Sequence, residues 1–158
     1  MTGVQALERI HPKLPMRPGR VERQEVEYVR HGTQCVIANL EIATGRLITP
    51  TIGQTRTEPD FTAHIKKLLA TDPQAEWVIV CDQLNTHQSE SLVELIAEQI
   101  DIRRYTLGVK GSCGVLRSLE SRRAFLSDPT HRIRFLYTPK HCSWLNQIEM
   151  WFSILVRR

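Results

Sequence analysis

The run Trp77-Val78-Ile79-Val80-Cys81, which stops on Asp82, constrains the fold more than any other stretch of the chain. Five consecutive apolar residues, mostly of β-forming type, are too short for a helix and show no polar–apolar alternation. A strand covered on both faces, as in the middle of an α/β sheet, has this composition. Where the run ends matters too. Reactive groups in α/β sheets collect just past the carboxyl ends of strands, where side chains project into a crevice. Asp82 therefore has two readings, as a cap for the following turn or as a functional acid. The polar residues Asn85, Thr86 and His87 follow at once.

Around this strand the periodicity predicts an alternation of strands and helices. Residues 1–24 read as an irregular, basic lead-in, broken by Gly3, Pro12, Pro15, Pro18 and Gly19. Residues 25–40 are strand-like, with a turn expected near His31-Gly32-Thr33, and Ala43-Thr44-Gly45 predicts a hairpin turn into Arg46-Leu47-Ile48. Thr57-Glu58-Pro59-Asp60 is a helix start signal, with Phe61, Ile65, Leu68 and Leu69 on one face. A second helix is predicted over 88–100, with Leu92, Leu95, Ile96 and Ile100 inward. The stretch 101–131 is an arginine-rich insertion with a short helix near 116–126. A strand follows at 133–137. A last helix, with Ser143 as a cap, carries Leu145, Ile148, Trp151, Phe152 and Leu155 at helical spacing. This order argues for one mixed α/β sheet flanked by helices. At 158 residues, 41% of them hydrophobic, the chain fits a single domain with a real core.

Charge and cysteines exclude some classes. Lys and Arg exceed Asp and Glu by 21 to 17, a net charge of +4, which suits a polyanionic partner without demanding one. The four cysteines, Cys35, Cys81, Cys113 and Cys142, form no CxxC pair, so reduced and mostly buried thiols are expected rather than a disulfide framework or zinc knuckle. No apolar run reaches membrane-spanning length and no signal-peptide pattern opens the chain. A soluble, cytoplasmic protein is expected.

Two segments carry the chemistry. VIVCDQLNTH (78–87) holds Asp82. LYTPKHCSWLNQIEMWF (136–152) holds Glu149, which borders the apolar stripe of the last helix and shares a face with Asn146 and Ser153. Read alone, Glu149 is equally an ordinary surface glutamate. Together the segments resemble the DDE transposases of the mariner superfamily, in its bacterial insertion-sequence branch. GTQCVIANLEIATGRL (32–47) is similar to the second and third strands of that fold. The resemblance implies a ribonuclease-H-like core in which three acids hold two divalent cations, Mg²⁺ or Mn²⁺. Hard cations prefer carboxylate oxygens, and two of them about 3.5–4 Å apart stabilise both ends of an in-line phosphoryl displacement. It assigns Asp82 and Glu149 as two of these acids. It also implies DNA, transposon ends and target alike, as partner, with a homodimer in view.

The sequence departs from the family pattern at its beginning. There the first acid ends the first strand, immediately before a segment like MTGVQALERIHP, with which this chain opens. The first strand and first acid are therefore expected to be missing from a single domain truncated at both ends (1–158), with weak metal binding and no cutting by the chain alone. A non-catalytic nucleic-acid-binding or dimerisation module from a decayed transposase is the alternative. Candidate nucleic-acid contacts are Asn85, His87, Arg117, Arg122, Arg123, Lys140, His141 and Asn146, each also readable as a solvated or hydrogen-bonded structural residue. Trp144 and Trp151 are expected in the core. Lys110-Gly111-Ser112-Cys113-Gly114 lacks the spacing of a phosphate loop.

Overall fold

A computed structural model describes residues 2–23, 26–140 and 142–157. Among these the elements run β1 (Thr2–Arg9), β2 (Tyr28–Leu40), β3 (Leu47–Gly53), α1 (Glu58–Leu69), β4 (Trp77–Cys81), α2 (Glu90–Gln99), α3 (Leu119–Leu126), β5 (Ile133–Tyr137) and α4 (Gln147–Arg157). The strands form two sheets, an antiparallel β1-β2-β3 and a parallel β4-β5, where one mixed sheet was expected. The described β2 and β4 share no ladder. The two sheets are linked through packing and not through backbone pairing.

The helices form where their local signals lie. The Asp60 carboxylate accepts from the backbone N–H and the hydroxyl of Thr57, both at 2.7 Å, and closes the first turn of α1. The Ser89 hydroxyl accepts from Leu92 N–H at the start of α2. These helices bury Phe61, Ile65 and Leu69, and Leu92, Val93 and Ile96, against Ile133 and Phe135 of β5 and Cys81 of β4. Leu107, Leu116 and Leu126, from the arginine-rich stretch, complete the same core.

Cover is supplied to one face of β4-β5 only. Trp77, Ile79 and Cys81 pair in register with Ile133, Phe135 and Tyr137 on the packed face. On the other face Val78 is 49% exposed and Val80 40%, so β4 is not buried on both sides as its composition suggested. The physical reason is simple: an apolar run reports that a strand can be covered, not that an element lies over it.

The N-terminal reading is also corrected. Residues 2–9 are not irregular; they pair antiparallel with β2, from Thr2 opposite Val36 to Arg9 opposite Tyr28. This ribbon buries almost nothing, with Leu7 50% and Val29 48% exposed, so it left no hydrophobic contrast for the sequence to show. The turn expected at His31-Gly32-Thr33 is a bulge within one long strand. The register shifts between Gln5 and Leu7, and Gly32 takes φ +116°, a conformation that other residues rarely adopt. Beyond β1, bridges between Leu14 and Arg23 and between Arg17 and Arg20 make a small exposed hairpin. All four cysteines are free; Cys35 and Cys81 are buried, but Cys113 is exposed.

One buried polar contact ties the antiparallel sheet to α1. His64 is fully buried, its Nε2 2.8 Å from Asn39 Nδ2 and its Nδ1 2.9 Å from Thr51 Oγ1. With the Asn39 amide donating to Nε2, the neutral imidazole donates from Nδ1 to Thr51. Burial, reinforced by the Lys67 charge, pushes the pKa of His64 down from 6.5 to about 4. The unfolded chain therefore takes up this proton first. The contribution of His64 to stability is fully present above pH 6.5, falls as the pH drops from 6.5 towards 4, and is lost below that. Denaturant unfolding across this range is predicted to show the decline in the native chain. In His64→Gln, stability at pH 7 falls by about 1–3 kcal/mol and the slope between pH 6.5 and 4 is shallower. Equal slopes would remove His64 as the source.

Candidate functional site

Asp82 stands immediately after the last residue of β4, and its carboxylate is held in one orientation. His87 Nδ1 lies 2.7 Å from Asp82 Oδ1, and the Leu84 backbone N–H donates to the same oxygen at 3.2 Å. Both bonds end on Oδ1, and the side chain is 26% exposed, which leaves Oδ2 available to a further group. Burial pushes the Asp82 carboxyl up, but the hydrogen bond and charge of His87, with the Leu84 N–H, outweigh it. The pKa lies below the ordinary carboxylate value and the group is ionised at neutral pH.

His87 reaches Asp82 because Asn85–Gln88 coils into a 3₁₀ turn before α2. Its ring is 3% exposed and sits 4.2 Å, centroid to centroid, from Phe61 of α1. The Tyr137 hydroxyl donates to its backbone carbonyl at 2.8 Å. An ionised Asp82 accepts and does not donate, so His87 Nδ1 carries the proton of this bond. Nε2 is buried with no hydrogen-bond partner.

A second set of contacts anchors the neighbouring Gln83. Gln83 Nε2 donates to the Thr138 carbonyl at 2.7 Å, and Arg123 Nη1 donates to Gln83 Oε1 at 3.3 Å. The Arg123 guanidinium lies over the Tyr137 ring at 5.2 Å. Burial pushes both the Tyr137 phenol and the Cys81 thiol well up, the latter with help from Asp82. Cys81 is thus a protonated, buried thiol and not a nucleophile.

A groove of about 530 Å³ opens beside these residues. Its walls are 37–43 of β2 and its following loop, and 76–81 at β4. Phe61, Ile65 and Leu68 of α1 also line it, as do His87 and residues 145–148. Neighbours of both acids therefore face one space: Cys81 and His87 beside Asp82, Asn146 and Ile148 beside Glu149. Glu149 is half-buried in the first turn of α4, and its N–H bonds to the Asn146 carbonyl at 2.9 Å. Ser143 does not begin this helix. Residues Ser143–Leu145 form a separate 3₁₀ turn and α4 starts at Gln147. Ile148 and Phe152 are buried as expected, but Trp144 is 70% exposed and lies outside the core, since the 3₁₀ turn takes it off the stripe of α4.

The candidate nucleic-acid contacts divide. Asn85, Arg117 and Lys140 are exposed, and Arg123 and Asn146 half-buried. His141 lies outside the described residues. Arg122 is committed to folding, its Nε donating to the Gln88 carbonyl at 2.8 Å and its Nη1 to the Leu116 carbonyl at 3.3 Å. Arg132 likewise donates to Ala75 and Gln99 carbonyls, while Arg104 and Lys110 pair with Glu94 and Glu90 of α2. Much of the positive charge between 101 and 134 thus holds the stretch onto the domain. The Gln83–Arg123–Tyr137 contact was not anticipated, and no local spacing signals it.

Compared with known families, residues 2–158 match a family model described as DDE superfamily endonuclease. No curated protein matches the chain. No solved structure matches it either.

The two classes of arginine differ in a measurable way. Arg122→Ala is predicted to lower unfolding stability by about 2–3 kcal/mol, because buried carbonyls lose a charged donor. Arg117→Ala is predicted to stay within about 0.5 kcal/mol. Urea unfolding of both variants checks this; equal effects would contradict the division.

Proposed function

The chain belongs to the DDE superfamily endonucleases, and from that membership we propose that it is a transposase-derived domain for DNA strand cleavage and strand transfer by divalent-metal phosphoryl transfer. We assign it to the insertion-sequence branch of the mariner superfamily, on the segments around Asp82 and Glu149. The observation that carries the reading is the Asp82 carboxylate. It is ionised, oriented by His87 and Leu84 through Oδ1, and open at Oδ2 just past the carboxyl end of β4. An acid destined for a hard cation is expected to be held this way, with an outer hydrogen bond fixing one oxygen and leaving the other free.

Endonucleases of this family use divalent metals, and when bound such ions activate the attacking oxygen and stabilise the leaving one. Among the described residues the donors do not complete a two-metal centre. Among the described residues no three His, Cys, Asp or Glu side chains come together. Asp82 and Glu149 alone supply fewer carboxylate oxygens than two hard cations share. Among the described residues β4 pairs with β5 alone, which supports an incomplete sheet. We read this as a ribonuclease-H-like core without its first strand and first acid. In this reading the chain binds DNA through exposed Arg117, Lys140 and Asn85, with Arg123 and Asn146 nearer the acids, and does not cut alone.

Two measurements test this. In a supercoiled-plasmid assay with Mg²⁺ or Mn²⁺, the chain is predicted to nick no faster than Asp82→Ala; robust nicking abolished in Asp82→Ala would overturn the inactive reading. Duplex DNA binding is predicted to weaken steeply with salt, and Arg117→Ala and Lys140→Ala each to reduce the log–log slope by about 1. Absent or salt-indifferent binding would overturn the assignment of DNA as partner.

A further inference from the structure

Between β1 and β2 the chain forms a hairpin arm whose side chains all face solvent. Leu14 and Arg23 exchange both backbone hydrogen bonds, at 3.1 and 3.2 Å, and so do Arg17 and Arg20, at 3.1 and 2.8 Å. The turn inside the second pair is Pro18-Gly19, with Gly19 at φ +78°, the conformation such a turn asks of its second central residue. Every residue from His11 to Arg23 is exposed. The arm is thus held by its own backbone and not by the core.

Two kinds of side chain gather at its tip. Arg17 and Arg20 stand directly opposite each other across the hairpin, so both leave the same face. Lys13 pairs with Glu22 at 3.8 Å, and among the described residues Arg17, Arg20 and Arg23 form no ion pair. Next to the arginines, Met16 is 74% and Val21 76% exposed. Met16, Arg17, Pro18, Gly19, Arg20 and Val21 line one depression of about 520 Å³. Cations and apolar groups therefore share one surface. A lone two-stranded ribbon is marginal in water, and exposed apolar groups gathered in one place mark a contact surface.

We propose that the hairpin 11–23 is a DNA-binding arm that lays its tip in the major groove of a duplex. The inference rests on the reading of DNA as partner and adds a surface and a groove to it. Charge selects a polyanion. Lys13, Arg17, Arg20 and Arg23 stand against Glu22 alone, which gives the arm three of the net four positive charges of the chain. The same charge disfavours a second arm as the occupant. Shape selects the groove. Two strands stand about 4.8 Å apart, and with their side chains they fit a major groove about 12 Å wide but not a minor groove of about 6 Å. Reach is sufficient, because the stretch from Arg9 to Pro18 extends up to about 30 Å and the major groove is about 8.5 Å deep. The tip chemistry agrees: guanidiniums meet guanine N7 and O6 or the flanking phosphates, and Met16 and Val21 meet thymine methyl groups.

Fluorescence anisotropy of the full chain on a labelled duplex of mixed sequence tests this. A matching duplex carries uracil for thymine and 7-deazaguanine for guanine, changes confined to the major groove. The native chain is expected to bind the modified duplex about tenfold more weakly. Arg17→Ala combined with Arg20→Ala is expected to weaken binding at least tenfold, to lower the log–log salt slope by about 2, and to abolish the difference between the duplexes. Circular dichroism and the urea midpoint of this variant are expected to match the native chain, since the tip buries no side chain. No binding of the native chain to either duplex would overturn DNA as partner and this inference with it. With binding present, three results would overturn the arm alone: native affinity in the arginine variant, equal affinity of the native chain for both duplexes, or displacement of the chain by the minor-groove ligand netropsin. A change of sedimentation in Met16→Ser with Val21→Ser, with DNA affinity unchanged, would assign the tip to a second copy instead.

Discussion

The burial of one face of β4-β5 beneath α1, α2 and the 101–131 stretch is the constraint from which the rest follows. Two strands cannot stand alone in water, because they bury too little surface to offset the entropy of ordering them. Leu92, Ile96, Ile133 and Phe135, all fully buried, supply that surface. The arginine-rich stretch is part of this core and not a loose appendage. It contributes Leu107, Leu116 and Leu126, and Arg122 and Arg132 staple it down through backbone carbonyls. The same packing leaves Val78 and Val80 exposed, and among the described residues β4 pairs with β5 alone.

His87 connects this core to the acid it serves. One side of its ring rests on Phe61, its carbonyl receives the Tyr137 hydroxyl, and its Nδ1 meets Asp82. The carboxylate is therefore oriented from its own turn, by Leu84 N–H and His87, while helix α1 and strand β5 hold His87 in place. An acid supported in this way keeps its geometry without a ligand, which in the proposed reading lowers the cost of binding a cation. The pair also explains why burial does not neutralise Asp82: the ring and the Leu84 N–H replace the water it gives up.

Much of this was legible in the sequence, and the misses share a cause. Strand 133–137 was read to the residue, and the start of α1 was announced by Thr57 to Asp60, because those signals are local. Asp82 at a strand end was legible for the same reason. Pairing is not local. Nothing in the apolar run 77–81 says that one face stays open, and nothing in residues 2–9 says that they pair with 28–36 while burying almost no side chain. Gly32 announced a break, and only the partner strand shows that the break is a bulge. Arg122 and Arg117 look alike in sequence, yet the buried carbonyls of Gln88 and Leu116 give one a structural task and leave the other at the surface.

The central claim is that Asp82 and Glu149 belong to one metal-binding locus of an incomplete endonuclease core. Paramagnetic broadening of amide resonances by Mn²⁺ measures this directly, because it reports proximity to the ion whether or not DNA is cut. The account predicts that low Mn²⁺ broadens amides around 82–87 and around 146–150 together, and that Asp82→Asn abolishes both effects. Broadening confined to one of these segments, or unchanged in Asp82→Asn, would contradict it.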